Sequence, residues 1–232
     1  MNRLKQQGEH AINKVPHVAI AITATRKDQR HLGILHRNHD LEETKLLHLA
    51  WHHLLKDEVP TTDFRWVSPS LHPTRARQVA ARCRQVSKAF SLRAEMPYGF
   101  SPPTDCFSEE TAQFLFGASK VGLTCATFAL AIFEFAGVTL AKYDSWLPRP
   151  DDSDWQGQVL EMLENHGAST EHLTAVRNEI GSLRFRPEEV AAAAIGFPPA
   201  IDFATAKQMG ESIVAVLNDD LETRNAGSRV IN

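Results

Sequence analysis

The sequence predicts an α+β fold, in which a small antiparallel sheet precedes a buried helix and a helical extension. Short β-branched and apolar runs fall within residues 15–68 and are separated by polar turn residues. A strongly apolar helical run follows at 125–137, and the chain beyond residue 150 has helical patterning. The length of 232 residues suits one large domain, or one domain with an extension.

Four segments of the N-terminal region have the composition of strands. The third is ambiguous, because residues 41–55 are also rich in helix formers. A strand is favoured there, since Asn38–Asp40 has turn chemistry and lies between two apolar runs. The predicted strands are Val15–Thr23, His31–Leu35, Lys45–Trp51 and Phe64–Ser68. The polar residues 1–14 before them are predicted to form a helix or a loose arm.

The predicted helices fall into two groups, separated by a polar segment at residues 147–154. Before it lie helices at 74–92, 109–116 and 125–137, with a Pro-rich loop at 96–106 and a short strand at 138–140. After it lie helices at 155–165, 171–180, 187–194 and 203–221, with a frayed end from residue 224. We therefore predict a first domain over residues 1–147 and a helical extension over 148–232 packed on it.

Charge and composition exclude several classes of protein. The net charge is −3, the hydrophobic content is 43% and the charged content is 23%, so nothing draws the whole chain to nucleic acid or to an anionic membrane. The basic helix at 74–93 is an exception, either as a solvated face or as a surface for an acidic partner. Its basic residues are Arg75, Arg77, Arg82, Arg84, Lys88 and Arg93. Oligomeric state stays open.

Cysteine usage and the N-terminus predict a cytoplasmic protein. Cys83, Cys106 and Cys125 form no CxxC pair, so a zinc ribbon or a thioredoxin motif is excluded and a reducing compartment is expected. The first residues are polar and lack the apolar segment of a secretory signal. The longest uncharged apolar run, 121–133, is shorter than the roughly 20 residues that span a bilayer. Export without a signal remains open.

Cys125 is the most informative cysteine. Gly122 and Thr124 precede it, and an apolar run follows at once, which predicts a thiol on the first turn of a buried helix. Unpaired N–H groups and the helix dipole favour a thiolate there, so we expect a lowered pKa and a nucleophile. By contrast, Cys83 belongs to the apolar stripe of the basic helix, and Cys106 lies in the Pro-rich loop, where an exposed thiol is possible.

Two histidines stand in strand contexts that could bring them to a cysteine. His31 opens the run His-Leu-Gly-Ile-Leu, and His48 lies within Leu-Leu-His-Leu-Ala-Trp. A hairpin places these strands side by side, with His31 toward a thiol and His48 behind it. A cysteine nucleophile needs such a base and an orienting group behind it.

With these motifs, residues 15–140 resemble the circularly permuted papain-like cysteine enzymes of the NlpC/P60 superfamily, which include lecithin retinol acyltransferase-like enzymes. That family has a His-x-Gly-Ile strand, a second strand with a polar residue, and, in permuted members, a later cysteine helix. The resemblance implies a permuted papain-like fold with Cys125 as nucleophile, His31 as general base and His48 as the orienting residue. Thr124 replaces the Asn typical of the acyltransferases, which favours a peptidase or amidase over a lipid acyltransferase.

The predicted activity is thiol-dependent hydrolysis of an amide or ester through an acyl-enzyme, with acyl transfer and deamidation left open. The backbone N–H of Cys125 and the Tyr98 side chain are the candidate oxyanion donors. The expected partner is a peptide, amide or ester substrate, and neither cofactor nor metal is expected. The identity of the substrate and the role of the C-terminal helices stay undetermined.

Two other functions compete with this prediction. If residues 41–55 are helical, His48 and His52 share a face, as in zinc sites, and His36 and His39 could add ligands. The metalloprotease motif HExxH is absent, since Leu49 follows His48. The second alternative is a non-catalytic protein that binds a partner through the basic helix and the helical extension.

Overall fold

A five-stranded antiparallel sheet organises the N-terminal part of the protein in the computed structural model, which describes residues 3–92, 95–115 and 121–229. The strands are β1 (Val18–Arg26), β2 (Gln29–Asn38), β3 (Glu43–Trp51), β4 (Leu54–Glu58) and β5 (Arg65–Val67). Their order across the sheet is β4-β3-β2-β1-β5. The predicted α+β class with a small antiparallel sheet is therefore confirmed, and residues 45–51 form a strand.

Strand β4 is the element of the sheet that sequence patterns did not indicate. It pairs with β3 after the short turn at His52 and His53, and His53 takes the positive φ of 53° that the tight turn needs. Its sequence, Leu-Leu-Lys-Asp-Glu, lacks β-branched residues and carries charges. Pairing along β3 therefore determines its conformation.

Six α-helices follow or flank the sheet in the described residues. They are α1 (Pro73–Leu92), α2 (Cys125–Phe135), α3 (Pro150–Asn165), α4 (Thr170–Asn178), α5 (Pro187–Gly196) and α6 (Phe203–Arg229). Helix α3 begins inside the predicted linker, because Pro150 suits a first helical position and Asp151 and Asp152 interact favourably with the helix N-terminus. Helix α6 extends into the segment predicted to fray; residues 230–232 lie outside the described residues.

Two predicted elements are wrong. Residues 109–115 form no helix: a turn at 109–111 joins Phe107 and Phe114, which pair in an isolated bridge, and Ala112 has a φ of 55°. Phe116, the last residue of that predicted helix, lies outside the described residues. Residues 138–140 form no strand; the neighbouring Ala141 instead makes an isolated parallel bridge to Ile201.

Helix α2 is the centre of the main core. Its residues are buried almost throughout, and it packs against the face of the sheet that carries Leu32, Ile34, Leu47 and Leu49. Cys83 belongs to this core, as predicted. Cys106 is also buried, with 3% of its surface exposed, and its thiol lies 3.3 Å from the carbonyl oxygen of Pro102. It is therefore not an exposed thiol.

The C-terminal helices α5 and α6 pack against each other and against β1. Arg65 on β5 donates two hydrogen bonds to Asp220 on α6, at 2.5 and 2.8 Å, and Arg224 donates to the carbonyl oxygen of Ala24 at 2.9 Å. These contacts join residues that are far apart in the chain. The domain boundary between residues 147 and 148 stays a prediction.

Part of the basic helix is engaged within the molecule. Arg82 forms an ion pair with Glu109 and lies 3.8 Å above the ring of Phe135, and Arg84 donates to the carbonyl oxygen of Arg37. Arg93 lies outside the described residues. Binding of an acidic partner to this helix stays a prediction. No helix of the described part of the chain has both the length and the apolar character needed to cross a bilayer.

Candidate active site

Cys125 is the first residue of α2, as the sequence predicted. Thr124 caps the helix: its side chain accepts a hydrogen bond from the N–H of Thr127 at 3.1 Å, and the Thr127 hydroxyl accepts one from the N–H of Thr124 at 2.9 Å. This reciprocal pair fixes the start of the helix. The position of the Cys125 backbone is therefore set by two threonines that the sequence places on either side of it.

The pKa of Cys125 moves opposite to the expected direction. Burial raises the pKa of the thiol to about 11, since only 6% of the residue is exposed, and hydrogen bonding to the backbone of Leu32 and Ala126 opposes that rise in part. The helix N-terminus stabilises a thiolate less than burial destabilises it. At neutral pH the resting Cys125 is therefore a thiol, and it needs a base to become a nucleophile.

His31 and His48 form a direct hydrogen bond between β2 and β3. The distance from His31 Nε2 to His48 Nδ1 is 2.7 Å, and His48 Nε2 lies 3.1 Å from a carboxylate oxygen of Glu58 on β4. A carboxylate can only accept, so His48 Nε2 carries the proton and its Nδ1 is an acceptor. His31 Nε2–H then donates to His48 Nδ1, which leaves His31 Nδ1 as the unprotonated nitrogen.

Burial keeps both histidines neutral at physiological pH. It lowers the pKa of His31 to about 4, with a smaller contribution from His48. Burial also lowers the pKa of His48, although the hydrogen bond to Glu58 and the charge of that carboxylate act in the opposite direction. Two neutral imidazoles and one carboxylate form a chain that can accept a proton at its His31 end.

The packing around position 33 explains why the second residue after His31 is a glycine. A Cβ added at Gly33 would lie 2.8 Å from the Cβ of His48 and 3.1 Å from the carbonyl oxygen of Leu47. The absence of a side chain therefore permits the close approach of β2 and β3 beside the histidine pair. The His-Leu-Gly-Ile motif thus has a local structural reason in this fold.

Tyr98 is held between the β3–β4 turn and α4. Its N–H donates to Nδ1 of His52 at 3.2 Å, and Nε2 of His172 donates to its carbonyl oxygen at 2.9 Å. The ring is buried against Trp51, with 4.8 Å between ring centroids. Burial raises the pKa of the phenol, while hydrogen bonding to the Cys125 backbone opposes the rise. The hydroxyl therefore stays protonated beside the start of α2.

One cavity of about 750 Å³ is lined by all four predicted site residues, Cys125, His31, His48 and Tyr98. Cys125 adjoins β2 at the backbone of Leu32, the residue after His31. Arg184, from the segment between α4 and α5, also lines this cavity. The fold therefore brings a thiol, a histidine pair, a phenol and a guanidinium to the wall of one space.

The zinc arrangement that the sequence left open does not form as envisaged. His48 lies on β3 and His52 in the following turn, so they share no helical face. His36 bonds to Asp57 at 2.8 Å, and His39 bonds to His17 at 2.7 Å. Across residues 3–92, 95–115 and 121–229, no three His, Cys, Asp or Glu side chains are grouped so that they could hold a metal ion.

Sequence reasoning missed two residues of the site, Glu58 and Arg184. Glu58 is the last residue of the unpredicted strand β4, and it comes near His48 because β4 pairs with β3. Arg184 also lines the cavity, although it lies more than 50 residues after Cys125 in the chain. A hairpin signal at Trp51–Leu54 would have indicated Glu58, whereas no local signal indicates Arg184.

Comparison with known proteins supplies no relative for this chain: no family model, no curated protein and no solved structure matches it. The chemistry of the cavity is therefore the basis for assigning a function.

Proposed function

We propose that this protein is a thiol-dependent hydrolase of the peptidase or amidase type, with a permuted papain-like catalytic arrangement. Its nucleophile is Cys125, its general base is His31, and His48 orients the base. The observation that carries the proposal is the hydrogen-bonded chain from His31 through His48 to Glu58, at 2.7 and 3.1 Å, on the wall of the cavity that Cys125 also lines. The order of the three site residues in the chain is that of the permuted enzymes.

Attack on the substrate begins from a neutral Cys125 thiol and a neutral His31 imidazole. His31 Nδ1 accepts the proton of the Cys125 thiol as Sγ forms a bond to the carbonyl carbon, whose oxygen becomes an oxyanion. The Cys125 N–H and the Tyr98 hydroxyl are the donors that stabilise this oxyanion. His48 and Glu58 stabilise the imidazolium that forms at His31.

Breakdown of this intermediate returns the proton. The carbon–nitrogen or carbon–oxygen bond breaks, the leaving group takes the proton from His31, and a thioester remains on Cys125. Water then attacks the thioester carbonyl and gives its proton to His31. The acid is released and Sγ recovers the proton. A raised thiol pKa suits this scheme, because the proton moves during attack and not before it.

The test is the rate at which iodoacetamide labels Cys125, read by mass spectrometry of the Cys125 peptide. We expect labelling at pH 7 to fall about 100-fold in His31→Ala, the size of a typical general-base contribution. It should also fall in the unaltered protein as the pH drops toward about 4, where His31 becomes protonated.

The buried Cys83 is the internal control, because its labelling reports unfolding and not the base. Far-UV circular dichroism checks that His31→Ala is folded. Equal labelling rates at Cys125 with and without His31, in folded protein, would contradict the proposed function.

A further inference from the structure

Arg184 is a cation in the wall of the catalytic cavity that the proposed reaction does not use. Its side chain is 15% exposed, and its guanidinium lies 3.7 Å above the ring of Trp155, which lines the same cavity. Stacking on an aromatic face holds the plane of the guanidinium and leaves its N–H groups at the edge free to donate. The side chain is thus oriented before any ligand binds.

The neighbouring ion pairs leave Arg184 with little compensation for its charge. Asp152 is shared by Arg149 at 2.8 Å, Arg186 at 2.9 Å and Arg184 at 3.4 Å, so Arg184 makes the longest of these contacts. Arg149 also pairs with Glu189, and Arg186 also pairs with Asp151. Arg184 makes no other ion pair with the described residues.

The hydrogen-bonding capacity of Arg184 exceeds what its surroundings use. A guanidinium has five N–H donors, and the contact with Asp152 at 3.4 Å occupies one of them weakly. Asp28, Asp151, Asp154 and Glu188 also line the cavity. The charge of Glu188 acts on Arg184, but none of these four carboxylates forms an ion pair with it. A cation this poorly exposed gains most from a ligand that supplies the missing negative charge.

Proximity to the reacting groups determines where such a ligand would lie. The charge of Arg184 acts on both the Cys125 thiol and the Tyr98 hydroxyl, where it favours the ionised form of each. Arg184, Cys125 and Tyr98 line the same cavity, so an anion bound by Arg184 would share that cavity with the carbonyl group that Cys125 attacks.

We propose that Arg184 binds a carboxylate of the substrate, so that the substrate class is a peptide or amide with a carboxylate close to the scissile carbonyl. This inference rests on the proposed function. The planar fork of a guanidinium matches two carboxylate oxygens, which fixes the orientation of the substrate as well as adding affinity. Arg184 is in this scheme a specificity-determining residue, and Cys125 and His31 perform the reaction.

The test compares two alkylating reagents that differ in charge. Iodoacetate carries a carboxylate and iodoacetamide carries a neutral amide; in both, Sγ forms a bond to carbon while the carbon–iodine bond breaks and iodide leaves. The measured quantity is the ratio of the iodoacetate rate to the iodoacetamide rate at Cys125. N-acetylcysteine at the same pH supplies the reference ratio, and mass spectrometry of the Cys125 peptide gives both rates.

We expect the ratio at Cys125 to exceed the reference at least about 10-fold, as one charge-assisted hydrogen-bonded pair would produce. It should fall to the reference in Arg184→Gln and be retained in part in Arg184→Lys. Arg177→Gln is the matched control: it makes the same change on the exposed side of α4 and should leave the ratio unchanged. In the unaltered protein, acetate should slow labelling by iodoacetate more than chloride does at equal ionic strength.

The outcomes separate this inference from the proposed function. If labelling is fast and depends on His31, but the ratio equals the reference and acetate acts like chloride, the carboxylate inference is overturned and the proposed function stands. If both reagents label Cys125 slowly and independently of His31, both fall. The measurement with acetate needs no variant, so the inference can be tested even if Arg184→Gln does not fold.

Discussion

The Glu58 carboxylate determines the proton positions in the histidine pair. It can only accept a hydrogen bond, so it places the proton of His48 on Nε2, and this in turn leaves Nδ1 of His31 unprotonated. Glu58 is half-exposed and also lies 3.7 Å from Lys56. Its influence on the site therefore comes through the hydrogen bond to His48, since exposed ion pairs contribute little.

We predict that Glu58→Ala slows labelling of Cys125 by iodoacetamide about 10-fold, because an orienting partner is lost while the base remains. The pKa of His48 should fall further, since the hydrogen bond to Glu58 is the main cause that raises it. Proton NMR titration of the histidines measures the second effect. The control is Glu43→Ala at the other end of β3, where Glu43 pairs with Lys45. An unchanged His48 pKa would contradict the prediction.

At the level of single residues, sequence reasoning indicated four side chains that line one cavity, but it did not predict the ionisation of Cys125. Gly122 and Thr124 correctly predicted that Cys125 begins a helix. The same reasoning predicted a lowered thiol pKa, because it weighed the helix dipole and not the loss of hydration at a buried thiol. The apolar run after Cys125 predicted a buried helix, but the exposure of the thiol itself depends on elements distant in the chain.

Among the structural elements, the pairing of β2 with β3 depends most on one residue. Gly33 lies against His48 and Leu46, and an added methyl group would meet side-chain atoms of both at 2.8 Å. The two strands must therefore separate to accept any side chain there. Because the hydrogen bond between His31 and His48 spans the same two strands, the stability of the sheet and the geometry of the site are coupled at this position.

We predict that Gly33→Ala destabilises the protein by about 1–3 kcal/mol, the usual cost of overpacking a buried position. It should also slow labelling of Cys125 more than unfolding alone explains, since the histidine pair is displaced. Urea unfolding measures the first effect. Gly157→Ala is the control, because a Cβ at that helical position meets nothing within 4 Å, and alanine should stabilise α3 there by about 0.5–1 kcal/mol. A Gly33→Ala protein as stable as the unaltered one would refute the steric argument.

Elements with strong local patterns were predictable, and elements formed by tertiary pairing were not. The β-branched run of β1 and the short apolar run of β2 indicated strands, and the apolar stripe of α1 indicated a helix. Residues 109–115 contain helix formers but bend back, because Phe107 and Phe114 pair with each other and pack in the main core. Strand β4 forms for the same kind of reason. Tertiary contacts override propensity in both cases.

At the scale of the whole molecule, the N-terminal sheet and the C-terminal helices are in contact through a shared core. One hydrophobic core includes Ile22 of β1, Phe128 of α2 and Leu217 of α6, so sheet, cysteine helix and C-terminal helices share buried surface. Arg184 belongs to the C-terminal region and reaches the cavity beside Cys125. The helices beyond residue 148 therefore contribute a wall of the candidate site, which their sequence pattern did not reveal.

Disrupting the bidentate contact between Arg65 and Asp220 tests whether the sheet and α6 fold together. It joins β5 to α6 at 2.5 and 2.8 Å between two partly buried side chains, and removing one partner leaves the other charge without this pairing. We predict that Asp220→Asn lowers the free energy of unfolding by about 1–3 kcal/mol. Asp219→Asn is the matched control, since Asp219 is exposed and the contact with Arg65 is made by Asp220. It should change stability by less than about 0.5 kcal/mol.

Two probes distinguish a shared transition from separate ones. Far-UV circular dichroism follows mainly the helices, and tryptophan fluorescence includes Trp66, buried in the sheet. If α6 and the sheet unfold as one unit, Asp220→Asn shifts the urea midpoint of both probes equally. A shift of the circular dichroism midpoint alone would show that the C-terminal helices unfold independently. In that case, loss of the Arg184 wall should precede loss of the sheet, and the charge preference of Cys125 labelling should disappear at lower urea than the dependence on His31.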